Sequence, residues 1–427
     1  MRTIFFVLSF LSATSSFAQN MNDMIKEEEI RRIIGFLASD SMHGRKIFTP
    51  GIEKSAAFIA EEFKKAGLET LKGNSEFLQT FQMQRSETIE SSVTINQQKI
   101  DQHDLLVFAS AAKFSWNAAK DSVETIFVKA GENFIRTIFQ IAQGGKHVLI
   151  VADTSFRRSV NRLRSFSLQR FSDRGNIVLA LHPEPAKTYS VQVTSKLFLS
   201  SLSNVVGVLP GKSLQDEYVI FSAHYDHLGI GKPVEGDSIF NGANDDASGV
   251  TAVLSLAGYF SKTRENERTL LFVAFTAEES GGYGSRYFSE QFDPLKVKAM
   301  FNVEMIGTGS KWGMNSAYIS GFEKTDFGKL LQENLSGSIF TFYPDPYPDQ
   351  ELFYRSDNAT LARLGVPAHT ISTSKMDSEP YYHTVNDEVE TLDLKNMTEI
   401  IKAIAISSRG IVSGKQTPGR VKVEELR

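Results

Sequence analysis

Three rhythms of apolar and polar positions follow one another along the chain. Between 22 and 70, Ile30, Ile33 and Ile34 recur at helical spacing, as do Ala57, Ile59, Ala60 and Phe63. Loop composition separates them at Ser39-Asp40-Ser41-Met42-His43-Gly44-Arg45 and at Thr49-Pro50-Gly51. His43 has no acidic partner at ligand spacing and reads as a loop histidine. From 75 to 200 the periodicity weakens into short β-rich runs such as Val93-Thr94-Ile95 and His147-Val148-Leu149-Ile150-Val151. These predict an inserted, mostly β accessory domain. Beyond Asn204, strand-like runs at 205–209, 218–223, 269–275, 299–305 and 317–320 alternate with helical patterns. The latter lie at 247–262, 284–291, 326–335, 357–364 and 394–412. Alternation of this kind predicts an α/β fold, with a mixed, largely parallel central sheet flanked by helices. In such sheets functional residues gather at strand ends.

At 427 residues the chain exceeds one ordinary domain. The expected layout is a signal peptide at 1–18, a helical part at 22–74, the insert at 75–200, a main domain at 203–415 and a loose polar tail at 416–427. Met1-Arg2-Thr3 supplies a positive charge, residues 4–11 an apolar core, and Ser16-Phe17-Ala18 the small residues a signal peptidase reads. Export to the periplasm or the medium is the expectation. With no cysteine there are no disulfides, so core packing and bound metal must supply stability. No later apolar run approaches membrane-span length. A formal charge of -4 gives no reason to expect nucleic acid as a partner. The arginines at 157, 158, 162, 164, 170 and 174, interleaved with Phe156, Phe166 and Phe171, read as a solvated face of the insert, because no nucleic-acid fold signature accompanies them.

Candidate chemistry stands at five places: His224 with Asp226, Asp245 in a Gly-bearing loop, Glu278-Glu279 closing LLFVAFTAEE, Glu304 in FNVEMIG, and His383 in YYHTVND. Strand alternation puts His224 and Asp226 on one side of a strand end. Histidine and carboxylates on converging loops are the ligand chemistry of zinc. Singly, each has a plainer explanation. Asp245 and Asp246 together suit a helix cap, and a Glu-Glu pair suits a surface. The ordered set in an α/β frame is far more specific.

His-x-Asp at 224–226, Gly-Ala-Asn-Asp-Asp-Ala-Ser-Gly at 242–249, Ala-Glu-Glu at 277–279 and Tyr-His-Thr at 382–384 resemble, in order, the motifs of the two-zinc exopeptidases. That family includes bacterial leucyl aminopeptidases, glutamate carboxypeptidases and glutaminyl cyclases. The resemblance covers 22–70 and 203–412, and the insert occupies the place of a protease-associated domain. It implies that Asp245 bridges two zinc ions, with His224 and Glu304 on one and Glu279 and His383 on the other. It further implies Glu278 as general base, Asp226 as the carboxylate orienting His224, and a cis peptide between Asp245 and Asp246. Three carboxylates against four positive charges leave +1 for a bridging hydroxide, whereas one zinc would leave the site at -1. The implied activity is release of N-terminal residues from peptides, the free α-amine meeting the second metal.

Two positions depart from the family pattern. Glu304 stands where many members have Asp, and its arm is longer by about 1.5 Å. Either its backbone sits further back or its binding mode differs. Asn358 stands where many members have His in Ser-Asp-His. Tyr382, Asp357 and Tyr347 are candidate substrate-binding residues, the last in the aromatic stretch FTFYPDPYPDQELFY at 340–354. A carboxypeptidase, a one-zinc glutaminyl cyclase and a non-catalytic peptide-binding relative are the rival readings. A full ligand set with Glu278 beside Glu279 argues against the last two.

Overall fold

The computed structural model describes residues 21–165 and 170–426. The expected signal peptide at 1–18, Phe166 and Arg427 lie outside the described residues. The chain forms two compact units: one runs up to Thr80 and resumes at Leu202–Arg427, and the other is Phe81–Ser201.

The first unit opens with α1 (Glu27–Leu37) and α2 (Pro50–Lys65). Three glutamates lie in the first turn of α1, where they favour the helix dipole, and Pro50 starts α2 at the position where its missing N–H costs nothing. Then come β1 (Tyr189–Leu209), β2 (Leu214–His224), α3 (Ser248–Thr263), β3 (Arg268–Phe275), β4 (Val297–Val303), β5 (Ser316–Ile319), β6 (Thr341–Pro344), β7 (Ala368–Ser372) and α4 (Leu394–Ser407). Asp393 caps α4 by accepting from the Asn396 N–H at 2.9 Å.

Within this unit, where β1 contributes its residues from Leu202 on, the sheet order is β6-β5-β7-β4-β2-β3-β1. Pairings β6/β5, β7/β4, β4/β2 and β2/β3 are parallel, while β5/β7 and β3/β1 are antiparallel. It is therefore mixed, with a parallel centre. The central strands β2, β3 and β4 are mostly apolar and buried because helices cover both faces. Val219, Phe221 and Ala223 of β2 point into one core with α1 to α4, and Ile220 points into the opposite core with Phe288 and Leu361. Phe221 sits mid-sheet, its ring stacked on Phe260, Phe272 and Phe301 at centroid distances of 5.5, 5.6 and 4.9 Å.

The expected loose tail is packed instead. Arg268 is buried and needs acceptors, and its guanidinium takes the carbonyls of Ile411 and Gln416 and the hydroxyl of Thr417. The Val421 N–H bonds Gly365 O, and the Val421 side chain joins the core.

In the second unit, a four-stranded sheet orders 105–108, 177–181, 148–152 and 124–128, with helices at Phe134–Gln143 and Arg157–Ser165. Those helices escaped the β-rich reading. Several arginines of the run are tied inward rather than merely solvated. Arg157 pairs with Asp104 at 2.8 Å, Arg164 donates to the carbonyls of Gln102, His103 and Leu105, and Arg170 donates to Phe108 O. Among the described residues no helix is long and apolar enough to cross a membrane.

Phe221→Ala should cost about 3–5 kcal/mol of stability, since three neighbouring rings lose their packing partner. Chemical unfolding of the purified protein measures it, and a loss below about 1 kcal/mol would contradict this account of the core.

Candidate metal centre

β3, β2 and β4 are adjacent and parallel, so the residues after their C-terminal ends meet. β2 delivers His224 as its last residue, Glu278 and Glu279 follow β3, and Glu304 follows β4. His224 Nε2 stands 3.2 Å from Asp245 Oδ1 and 3.8 Å from Glu304 Oε1. The other oxygen, Asp245 Oδ2, stands 3.2 Å from His383 Nε2, which is itself 3.2 Å from Glu279 Oε1. One carboxylate thus faces two donor clusters. The structure brings together all five expected ligands.

Asp245 is held from several sides. The peptide between Asp245 and Asp246 is cis. Asp387 accepts the backbone N–H groups of Asn244 and Asp245 at 2.8 and 3.0 Å. Arg45, wholly buried, donates to the carbonyls of Tyr225, Leu37, Asn241 and Gly242 at 2.5–2.9 Å, and to Asp245 O at 3.4 Å. Asp246 turns away from the donors. Its carboxylate accepts from the N–H groups of Gly249, Met305 and His224, tying the start of α3 to the ends of β2 and β4.

Asp226 differs from the expected orienting carboxylate. His224 Nδ1 finds the Asp226 backbone carbonyl at 3.1 Å, while the Asp226 carboxylate is 3.9 Å away. That carboxylate instead accepts the N–H groups of Glu278 and Glu279, at 3.0 and 3.3 Å, and so sets the turn carrying both glutamates.

Burial opposes the charged form of His383, but hydrogen bonds to Asp245 and Glu279 outweigh it and push its pKa up to about 10. The pull on positive charge is strong, and a divalent ion satisfies it with both rings neutral. Buried polar atoms point the same way, since His224 Nε2 and Glu304 Oε2 have no hydrogen-bond partner. His224, Asp245 and Glu304 form one set of donors within 4.8 Å of one another, and His227, Asp245 and Glu279 form a second; nitrogen and carboxylate sets of this kind suit zinc. The residues present therefore fit a divalent metal at two positions.

A pocket beside the clusters is lined by Glu278, Met305, Tyr318, Leu352, Arg355 and Tyr382, among others. Tyr382 lies where expected, its ring stacked on His383 at 3.9 Å. Asp357 and Tyr347 are buried and are not among the lining residues. Asp357 sits at the start of the short helix Asn358–Ala362, and the Tyr347 ring packs edge-on against Tyr318. Of the aromatic stretch at 340–354, Leu352 reaches the pocket. Asn358 takes a structural part, donating to Phe353 O and accepting from the Thr370 hydroxyl.

Sequence reasoning missed Arg45, Asp387 and above all His227. The ring of His227 is fully buried, with Nδ1 3.0 Å from Glu279 Oε1 and 3.8 Å from Asp245 Oδ2. The third polar residue of His-Tyr-Asp-His was the available signal for it. Alternation hid it, because β2 ends at His224 and the pleat no longer governs residues 226 and 227.

Comparison with known proteins agrees with the motifs. Residues 204–407 match Peptidase family M28. A probable leucine aminopeptidase of Trichophyton verrucosum (strain HKI 0517) is 32% identical over 211 residues, covering 47% of this chain and 54% of that protein. A probable zinc metalloprotease of Pyricularia oryzae is 35% identical over 128 residues, 29% of this chain and 25% of that one. The chain spans about half the length of the leucine aminopeptidase relative. An aminopeptidase from Aneurinibacillus sp. strain AM-1 superposes with a TM-score of 0.54 at 20% identity, covering 95% of this chain and 98% of the other. A zinc aminopeptidase from Bacillus subtilis gives 0.54 at 17% identity, covering 94% and 97%. These two structures share the fold.

Arg45→Ala should destabilise the unit by about 3–5 kcal/mol, because several buried carbonyls lose a charged donor together. Thermal and chemical unfolding measure the loss. A variant as stable as the parent would show that this side chain does not hold the loop.

Proposed function

We propose that the protein, whose residues 204–407 match Peptidase family M28, is an exported aminopeptidase that uses two zinc ions to release N-terminal residues from peptides. Asp245 is the observation that carries this reading, as one buried carboxylate aims its two oxygens at two separate donor clusters. Relatives named leucine aminopeptidase support the amino-terminal preference. The pattern of residues 1–18 supports export.

His224, Asp245 and Glu304 would hold one ion, and Asp245, Glu279 and His383 the other. When bound, such ions polarise a carbonyl and lower the pKa of water toward about 7. Glu278 lines the pocket beside them. Its carboxylate takes a proton from the attacking water and gives it to the leaving amine as the carbon–nitrogen bond breaks. Burial, then Glu304, Asp357 and Glu279, hold its pKa well above the ordinary carboxyl range against the opposing pull of His224. Burial likewise raises the Tyr382 phenol, so an O–H donor stays available at the pocket.

A second reading has one observation behind it. Arg355 lines the pocket and is exposed, so a substrate carboxylate would find a guanidinium there. A carboxypeptidase would use it in that way.

Metal analysis and a substrate panel decide between these readings. We expect about two zinc ions per chain, and chelator-sensitive release of N-terminal residues from aminoacyl chromogenic substrates. Zinc near zero in the folded protein, or activity confined to peptides with blocked N-termini, would sink the reading. Glu278→Gln should keep its metal and lose about 100- to 10,000-fold in turnover, as expected for removal of a general base. Full activity in that variant would remove the assignment.

A further inference from the structure

We propose that His227 is a fourth protein donor to the metal position formed by Asp245, Glu279 and His383, which makes the two positions unequal. The inference rests on the two-metal reading above.

The His227 ring is fitted into place. Its backbone N–H bonds Arg45 O, and the ring lies against Gly242. A Cβ at 242 would come within 2.5 and 2.6 Å of His227 Cδ2 and Cγ, so only glycine leaves room for the ring there. Gly242 also has φ +56, a conformation glycine adopts without cost. The His383 ring stands edge-on to it, with centroids 5.8 Å apart at an interplanar angle of 69°.

His227, Asp245 and Glu279 offer donor atoms within 4.8 Å of one another, and His383 Nε2 faces the same two oxygens, Asp245 Oδ2 and Glu279 Oε1. The recorded separations among them are 3.0, 3.2, 3.2 and 3.8 Å. A tetrahedron with metal–donor bonds of about 2.0–2.1 Å has edges of about 3.3–3.4 Å. A hydrogen bond from His227 to Glu279 would account for the 3.0 Å contact alone. A shared cation also accounts for the approach of the ring to Asp245 Oδ2, the same oxygen that His383 faces.

The consequence is an asymmetric pair. Four protein donors describe a closed, tightly held position, whereas three donors, here His224, Asp245 and Glu304, leave a place for water or substrate. The Asp245/Glu279/His383 position should therefore fill first and release its metal last.

The test strips the full-length protein of metal and titrates it with Co²⁺ against a competing chelator, reading d–d absorption and bound metal. The parent should take up two equivalents in two steps, the tighter with a tetrahedral spectrum. His227→Ala should weaken the tighter step by about tenfold or more and alter its spectrum. His227→Asn keeps an N–H close to the place of Nδ1 but lacks an imidazole lone pair, and it should fail in the same way. Circular dichroism establishes that each variant is folded, and the asparagine variant carries the test if the alanine variant is not. Parental affinity and spectrum in His227→Asn would overturn the proposal and leave a hydrogen bond to Glu279 as the role of the ring. A parent protein that binds no cobalt would instead sink the two-metal reading itself.

Discussion

A single buried carboxylate has to face two ways, and the long-range polar contacts of the main unit converge on that requirement. Burying a charge is tolerated only when partners surround it. Asp245 has donors on both oxygens, and its backbone is fixed independently of them. Asp387 takes the N–H groups of the loop while Arg45 takes its carbonyls. These two act on opposite polarities of one short segment, so the loop can neither rotate nor withdraw. Burial holds the Asp387 carboxyl up to about 7, and the N–H bonds to Asn244 and Asp245 are what favour its charged form. Neighbouring Asp246 secures the turn to α3, whose N-terminal N–H groups favour an anion at that end.

The fold supplies these parts in register because parallel strands end on the same edge. β2, β3 and β4 each release their last residue within the same narrow zone. The segments that follow them are tightly bonded to one another there. Asp226 makes this concrete, since it lies just past β2 and its carboxylate fixes the loop after β3. Ligand geometry is thereby coupled to sheet geometry, and sheet geometry to the aromatic stack around Phe221. Exposed sheet edges play no part in this, as the site lies at the buried centre.

Much of this was readable from the chain. Mostly apolar runs mark β2, β3 and β4 because both faces are covered, and each run ends at or is followed by a residue able to bind metal. β7 was harder, because Ala-His-Thr-Ile-Ser does not look apolar. Its His369 is buried between the carbonyl of Ser320 and the hydroxyl of Thr325, partners far away in sequence. The same limit hid Arg45 and the packed tail. A loop arginine and a polar tail show their burial only when the carbonyls they satisfy are known, and those lie about 180 to 200 residues away for Arg45. His227 failed for another reason. Alternation was extended past the end of a strand, where it no longer says which way a side chain points.

Glu304 shows how the site absorbs a longer arm. One expectation was that its backbone sits further back, but its N–H bonds Ile371 O at 3.0 Å, and the next N–H, of Met305, bonds Asp246. The main chain at Glu304 is thus bonded on both sides, to β7 and to the start of α3. That side chain keeps 18% exposure against 3% for Asp245, and its oxygen stands 3.8 Å from His224 Nε2 where Asp245 reaches 3.2 Å. A glutamate also has one more rotatable bond than an aspartate to order. Its cluster therefore has a longer arm to order, while both clusters open on one pocket, which Glu279, Glu304 and His383 all line. The cluster around His383 is braced by the buried ring of His227. The buried ring beside Glu279 on one side and the added side-chain bond of Glu304 on the other make the two donor clusters unequal in how they are ordered.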